Sequence, residues 1–397
     1  MTTDPLLKWR DEFPILQNTT YLISNSLGAM PRAVYDRLRD YADMWATLGV
    51  RAWGAGWWDI KRAAGDVIAP LMGAPLGSVL IHENASIAGS ILYSALDFSD
   101  TRRDKVIVTD QDFPSDVYTL RAMLPEHMQV HTVRSRDGIG IDTDEILDAI
   151  DERTRLVSIS HVLFRSAYIM PVEAIVQKAH AVGAQVLLNG YHSVGVIPVD
   201  VTGLNVDFYI GGTLKWLCGG PGGVFMYVRP DLLPGLNPKI TGWFAHQTPF
   251  AFDIEHFELR EDAYRLANGT PGIAALYAIQ PGPEIIAQVG VDNIREKSIR
   301  QTSRIIERAD AAGYPVVSPR VVEERAGTVT LRPDHAYEVS RELIARSIVV
   351  DYREGAGIRV APHFYNSDAE VEQVMDAIAE ILADGSWQRH TQRAFVT

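Results

Sequence analysis

Between about residues 75 and 230 the chain alternates short, unbroken apolar runs with segments whose apolar positions fall on one helical face. Lys105-Val106-Ile107-Val108-Thr109, Leu156 to Ser160, Gln185 to Leu188 and the run around Phe208 read as buried strands. Asp142 to Ile150, with Ile146, Leu147 and Ile150 on one face, reads as a helix, as does Pro171 to Val182 with proline in its first turn. Strands that are apolar throughout and separated by helices predict an α/β domain with a parallel sheet covered on both faces. Beyond about residue 270 the texture changes. Helical periodicity over Gly290 to Ala311 and Asp368 to Leu382 flanks strand-like pieces at Thr328 to Leu331 and Ile348 to Asp351. A smaller α+β domain is expected there. The division that follows is a segment 1–30 joining the small domain, a large domain over 31–269 and a small domain over 270–397. The turn-rich Asn268-Gly269-Thr270-Pro271 marks the boundary.

A chain of 397 residues is long enough for that layout, and 47% hydrophobic with 22% charged residues is ordinary for a globular protein. A net charge of -13 argues against general binding to nucleic acid or to an anionic membrane, but not against a local anion site. Met1-Thr2-Thr3-Asp4-Pro5 shows no basic-then-apolar leader, and no apolar run approaches membrane-spanning length. Cys218 is the single cysteine, so no internal disulfide and no cysteine-rich metal spacing is expected. The expectation is a cytoplasmic enzyme of small molecules, without a metal.

Candidate chemistry clusters just after the strands, at 113–116, 161–165, 189–192 and 213–215, where ligands bind in open parallel sheets. Lys215 leaves the apolar run Val206 to Ile210 into Leu214-Lys215-Trp216-Leu217-Cys218-Gly219-Gly220-Pro221-Gly222-Gly223. A lysine held partly dry loses its proton more readily and becomes a nucleophile toward a carbonyl; pyridoxal 5'-phosphate (PLP) is the cofactor that uses lysine in this way. A surface lysine beside a glycine turn is the alternative. Asn84-Ala85-Ser86 opens a helical run, which suits either a phosphate at a helix N-terminus or a plain N-cap. Phe113 could stack on a flat heterocycle, with Ser115 or Asp116 addressing a substituent, or it could simply pack. Arg359 is flanked by apolar residues on a strand, so its guanidinium needs a partner: a substrate carboxylate or an internal salt bridge.

Taken together, these segments resemble the class-V aminotransferase group of fold-type-I PLP enzymes, and within it kynureninase and its relatives. Tyr21-Leu22-Ile23-Ser24-Asn25-Ser26-Leu27-Gly28 resembles the opening of that group, and Phe113-Pro114-Ser115-Asp116 matches its FPSD loop. Lys215 with its glycines, Gly242-Trp243-Phe244-Ala245-His246, Gly269-Thr270-Pro271, and Arg359 with Ala361-Pro362 and Tyr365-Asn366-Ser367 follow in order. The likeness runs from about residue 13 to 383. It implies a large domain with a mostly parallel seven-stranded sheet, a smaller α+β C-terminal domain and a homodimer with a shared active site. It implies that Lys215 forms the Schiff base with PLP and moves protons at the substrate Cα. Phe113 would stack on the ring, Ala85 and Ser86 would meet the phosphate with Asp116 contributing, and His192 would lie beside the ring. Trp243 and Thr270 would reach the phosphate of the neighbouring subunit. Arg359 would bind the substrate carboxylate, with Asn25, Ser26 and Arg165 as further substrate contacts.

The chain departs from the pattern at three places. Asn189 stands where the group has aspartate in D-x-x-H, and a neutral amide cannot offset a pyridinium charge, which predicts a weaker electron sink. Leu214 precedes the lysine where kynureninases have a phosphate-binding tyrosine, leaving Thr213 to supply a hydroxyl. Ser160-His161-Val162-Leu163-Phe164-Arg165-Ser166 replaces a segment that usually brings Asn and Thr-Gly to the cofactor, with Arg165 pointing either to the ligand or to a surface carboxylate. Cysteine desulfuration fails, because Cys218 lies too close to Lys215 in the chain to act as a mobile thiol. The leading expectation is Cβ–S or Cβ–C cleavage of an α-amino acid, similar in kind to the kynureninase-like enzymes of lincosamide antibiotic pathways. An aminotransferase or a decarboxylation-coupled oxidative deaminase is the alternative within enzymes, and a catalytically weakened PLP-fold binding protein the alternative outside them.

Overall fold

The computed structural model describes residues 4–392. After the short strand β1 (Thr20–Tyr21) come β2 (Val79–His82), β3 (Lys105–Thr109), β4 (Gln129–Val133), β5 (Thr154–Ser160), β6 (Gln185–Asn189), β7 (Phe208–Gly212) and β8 (Val224–Val228). These last seven form one sheet in the order β2-β8-β7-β6-β5-β3-β4. β8 runs antiparallel to both neighbours, and the pairs β7–β6, β6–β5, β5–β3 and β3–β4 are parallel. The mostly parallel α/β sheet of fold type I is therefore present.

Both faces are covered, which is why the strands carry no polar alternation. Val106 and Val108 turn toward Ala88, Ile91, Leu92 and Leu120 of the helices Ala85–Ala95 and Pro114–Met123. Ile107, Val157 and Val186 face the opposite side, toward Ile146, Ile175 and Val176 of Thr143–Ala149 and Val172–Ala181. The order β4-β3-β5 places a topological switch at β3, where the chain goes out to β4 and returns across β3 to β5. The crevice beyond the carboxyl ends of the strands opens at such a point.

Four strands follow: β9 (Val329–Leu331), β10 (Ile348–Val349), β11 (Asp351–Arg353) and β12 (Gly357–Val360). β11, β12 and β9 form an antiparallel sheet that shares a second core with the helices Val291–Ala312, Ala336–Ala345 and Asp368–Asp384. The apolar stretch Ile348 to Asp351, expected as one strand, is two. Ile348–Val349 pairs in parallel with Thr20–Tyr21, whereas Asp351 opens β11 opposite Arg359 in the other sheet. Fully buried Val350 makes the change of sheet.

The N-terminal segment is tied to this second core. Leu22 is part of it, Ile23 bridges Ala361, and the Arg10 guanidinium grips Glu370 at 2.8 and 3.0 Å. The same segment reaches the main domain: Gly28 N–H donates to the Leu214 carbonyl at 2.7 Å. A Cβ on Gly28 would stand 2.2 Å from the Lys215 carbonyl oxygen, so only glycine fits at that crossing. Among the described residues no helix is long and apolar enough to cross a membrane.

Candidate active site

Five strands deliver side chains to one cavity of about 330 Å³ at the carboxyl end of the sheet. β2 leads through Glu83 to Asn84, Ala85 and Ser86, and β3 leads to Phe113, Ser115 and Asp116. β5 ends at Ser160, β6 at Asn189 with Tyr191 and His192 beyond it, and β7 leads to Leu214 and Lys215; all of these line the cavity. Asp112 joins the loops on either side of the switch. Its Oδ2 accepts from Thr109 N–H and its Oδ1 from Ser160 N–H, both at 2.7 Å. That staple fixes where Phe113 and Asp116 emerge.

Lys215 Nζ is hydrogen-bonded to His192 Nε2 at 2.7 Å and lies 5.3 and 5.8 Å from the ring centroids of Tyr191 and Phe113. Burial, reinforced by the nearby Arg359 and Arg353 charges and opposed by Asp116 and Asp351, pushes the amine down to about 7. His192 falls well below its ordinary value through burial, then through Lys215, Arg359 and Arg353. It is therefore a neutral imidazole, and its hydrogen bond orients the amine. Underneath, His161 Nδ1 and Ser193 Oγ meet the Tyr209 hydroxyl at 2.8 and 2.6 Å, which supports the turn carrying His192.

Asn189 is engaged on both sides of its amide. Its Oδ1 accepts from Tyr191 N–H at 2.9 Å, and its Nδ2 donates to Asp116 Oδ2 at 2.5 Å. Asp116 is pushed up to about 7 by burial and by Asp112, against the stabilising amide of Asn189 and the charge of Lys215.

Not every expected residue reaches the cavity. Thr213 is fully buried and its hydroxyl donates to the Gly220 and Gly223 carbonyls at 3.0 Å each, so it closes the glycine loop and does not turn toward a ligand. Trp243 packs edge-on against Trp58 and Phe250, and Thr270 is exposed; neither lines the cavity of its own chain. Arg165 lies with its guanidinium 5.3 Å from the Phe164 ring and is likewise outside the lining. Asn25 is fully buried with both amide atoms unpartnered, and Ser26 donates its N–H to the Ile23 carbonyl. Arg359, 2% exposed, is held by the carboxylate of Asp351 and by the Phe164 carbonyl. The internal salt bridge left open for it by the sequence is real.

Sequence reasoning gave no role to Tyr191, Phe164, Asp351 or Arg353. For Asp351 a signal existed: Glu354-Gly355-Ala356 between two short strands marks a hairpin, and a hairpin pairs residues at matched distances from its turn.

PLP fits this cavity. The Ala85–Ala95 helix starts at its rim with Asn84 Oδ1 capping Ile87 N–H, which leaves the N–H groups of Ala85 and Ser86 for an anion. Phe113, 43% exposed, turns its ring toward Lys215, whose amine is pushed down to about 7.

The class-V aminotransferase family model matches residues 20–374. The kynureninase of Burkholderia pseudomallei (strain K96243) is 31% identical over 99% of this chain and 97% of its own length. The apo structure of a cysteine desulfurase from Thermococcus onnurineus NA1 superposes with a TM-score of 0.86 at 20% identity, covering 97% of this chain and 99% of that one. A C-DES variant with glycine covalently linked to the PLP cofactor superposes with a TM-score of 0.84 at 18% identity, covering 94% and 99%.

Proposed function

Because the chain belongs to the class-V aminotransferase family and to its kynureninase-like branch, we propose that it cleaves the Cβ–C or Cβ–S bond of an α-amino acid. Membership makes it an enzyme that uses pyridoxal 5'-phosphate. The observation that carries the finer reading is the Lys215–His192 pair: an amine near pKa 7 whose hydrogen-bond partner is a neutral imidazole.

When bound, PLP supplies an electron-withdrawing ring that stabilises negative charge at the substrate Cα. Phe113 would flank that ring, Asn84, Ala85 and Ser86 would take its phosphate, and the Asn189–Asp116 pair would meet its edge. Lys215 Nζ takes the proton from Cα and returns it, and His192 Nε2 keeps the amine pointed into the cavity. The apolar walls formed by Phe164 and Tyr191 would border a bulky β-substituent and exclude water from it. Arg359, though held by Asp351 and by the carbonyl of the cavity-lining Phe164, would take the substrate carboxylate with its remaining N–H groups. A desulfurase-type persulfide has no carrier, since burial pushes the only thiol, Cys218, up to about 12. A homodimer is part of the same proposal. Phe250, Phe252, Ile254 and Phe257 are exposed in one loop beside Trp243, a large apolar surface of the kind that marks an interface.

The test is product analysis of the PLP-loaded protein with S-alkyl-cysteines, kynurenine and alanine, alongside its visible spectrum. Pyruvate and ammonia from the thioether, or alanine from kynurenine, is the expected result, with the cofactor band lost in Lys215→Ala. Accumulation of pyridoxamine phosphate in place of these products makes the protein an aminotransferase. A cofactor band with no product from any of them favours the catalytically weakened reading to which Asn189 points.

A further inference from the structure

The hairpin of β11 and β12 places Asp351 directly opposite Arg359. Arg359 Nε donates to Asp351 Oδ1 at 2.7 Å, Nη2 donates to Oδ2, and Nη1 donates to the Phe164 carbonyl at 2.6 Å. Two residues on from Asp351, and so on the same face of the strand, Arg353 sets its Nη2 3.1 Å from Asp351 Oδ2. The side chains of Asp351 and Arg359 are 0% and 2% exposed, whereas that of Arg353 is 33% exposed.

The cluster therefore holds two guanidinium charges against one carboxylate. Arg359 and Asp351 alone would form a neutral pair. An approaching anion would feel the attraction of Arg359 and the repulsion of Asp351 at similar distances, and the two nearly cancel. With Arg353 present, one positive charge is left over, enough for a single carboxylate. The cluster abuts the cavity through Arg359, whose Nη1 holds the carbonyl of the lining residue Phe164, and both guanidiniums lower Lys215 and His192.

We propose that Arg353 is a positioning residue for substrate binding: it neutralises Asp351, so that Arg359, held rigid by that same carboxylate, keeps its charge for one substrate carboxylate. The proposal rests on the reading that Arg359 takes that carboxylate. It makes the substrate a monocarboxylate at this end of the cavity, and it makes Arg353 matter equally for every amino acid whatever its β-substituent. Arg353 touches no reacting atom in this account.

The experiment titrates the PLP-loaded protein with L-alanine, which has the amino and carboxylate groups but no β-substituent to lose, and follows the cofactor absorbance. Arg353→Gln should weaken alanine about tenfold at low salt, and Arg353→Lys should restore most of the loss by returning the charge. Thermal stability should stay close to wild type, because Arg353 is the exposed member of the cluster. Independently, capture of PLP by the apoprotein should shift to higher pH in Arg353→Gln. Lys215 faces Asp116, His192, Arg359, Arg353 and Asp351, and removing one positive charge lets the amine hold its proton longer. Unchanged alanine affinity in Arg353→Gln, with affinity lost in Arg359→Lys, would overturn the proposal and leave the carboxylate reading standing. If a folded Arg359→Lys binds alanine as wild type does, the carboxylate reading itself fails and this proposal falls with it.

Discussion

Lys215 owes its lowered pKa to its surroundings. Its amine is pushed down to about 7, so the apoprotein should capture PLP slowly below that pH and at a plateau rate above it, as read by stopped-flow absorbance. A midpoint near 10 would mean that the pocket does not dry the amine. Asp116 is the complementary case, a carboxyl pushed up to about 7. The folded state then binds a proton that the unfolded state has released between about pH 4 and 7, so its contribution to stability is present below that window and is lost as pH rises through it. Asp116→Asn should remove this pH dependence from the denaturation midpoint of the apoprotein, and Asn189→Asp should steepen the decline by setting two carboxylates in contact. Cys218, buried with its thiol near 12, should resist alkylation in the native protein, and Cys218→Ala should leave turnover within about twofold. At this scale motif order picked out several residues that line the cavity, Phe113, Asn189, His192 and Lys215 among them, but not their partners. Arg359 admitted a substrate or an internal carboxylate, and nothing near it in the chain could say which. The hydroxyl of Thr213 was assigned to a phosphate, yet the glycine loop that follows it folds back and takes it.

The elements bring these residues together through a few cross-links between strand ends. Asp112, which bonds the ends of β3 and β5, is the most exposed to test. Asp112→Ala leaves two buried N–H groups without partners and should cost about 2–4 kcal/mol in chemical denaturation, with weaker PLP retention because Phe113 and Asp116 lose their anchor. Gly28 is the second. Gly28→Ala forces the N-terminal segment off the Lys215 loop, an overpacking effect of about 1–3 kcal/mol that should also speed PLP loss on dilution. Strands and helices of the main domain were readable because each runs long enough for its period to show. The split of Ile348 to Asp351 was not, since four apolar-to-acidic residues look the same whether they serve one sheet or two. The pairing partners, Thr20–Tyr21 and β12, decide it.

On the scale of the molecule, the N-terminal segment runs through two cores, with Phe13, Leu16 and Tyr21 in one and Leu22 in the other. The exposed Phe250, Phe252, Ile254 and Phe257 form the surface that the proposed second copy would cover. The protein should sediment as a dimer, and Phe252→Asp with Phe257→Asp should shift it toward monomer and weaken PLP binding if Trp243 and Thr270 serve the neighbouring site. A wild-type monomer with full activity would remove that role. The sequence by itself determined the class of fold and the family and pointed to the lysine, because these rest on local periodicity and on motifs whose residues lie close together in the chain. The tertiary structure alone decided which charges face one another. Asn189 meets a carboxylate contributed by residue 116, and Arg359 is matched by Asp351 with Arg353 alongside. Such pairings depend on strand register and on the packing of distant segments, and burial magnifies their electrostatic consequence in proportion to a proximity that no local pattern encodes.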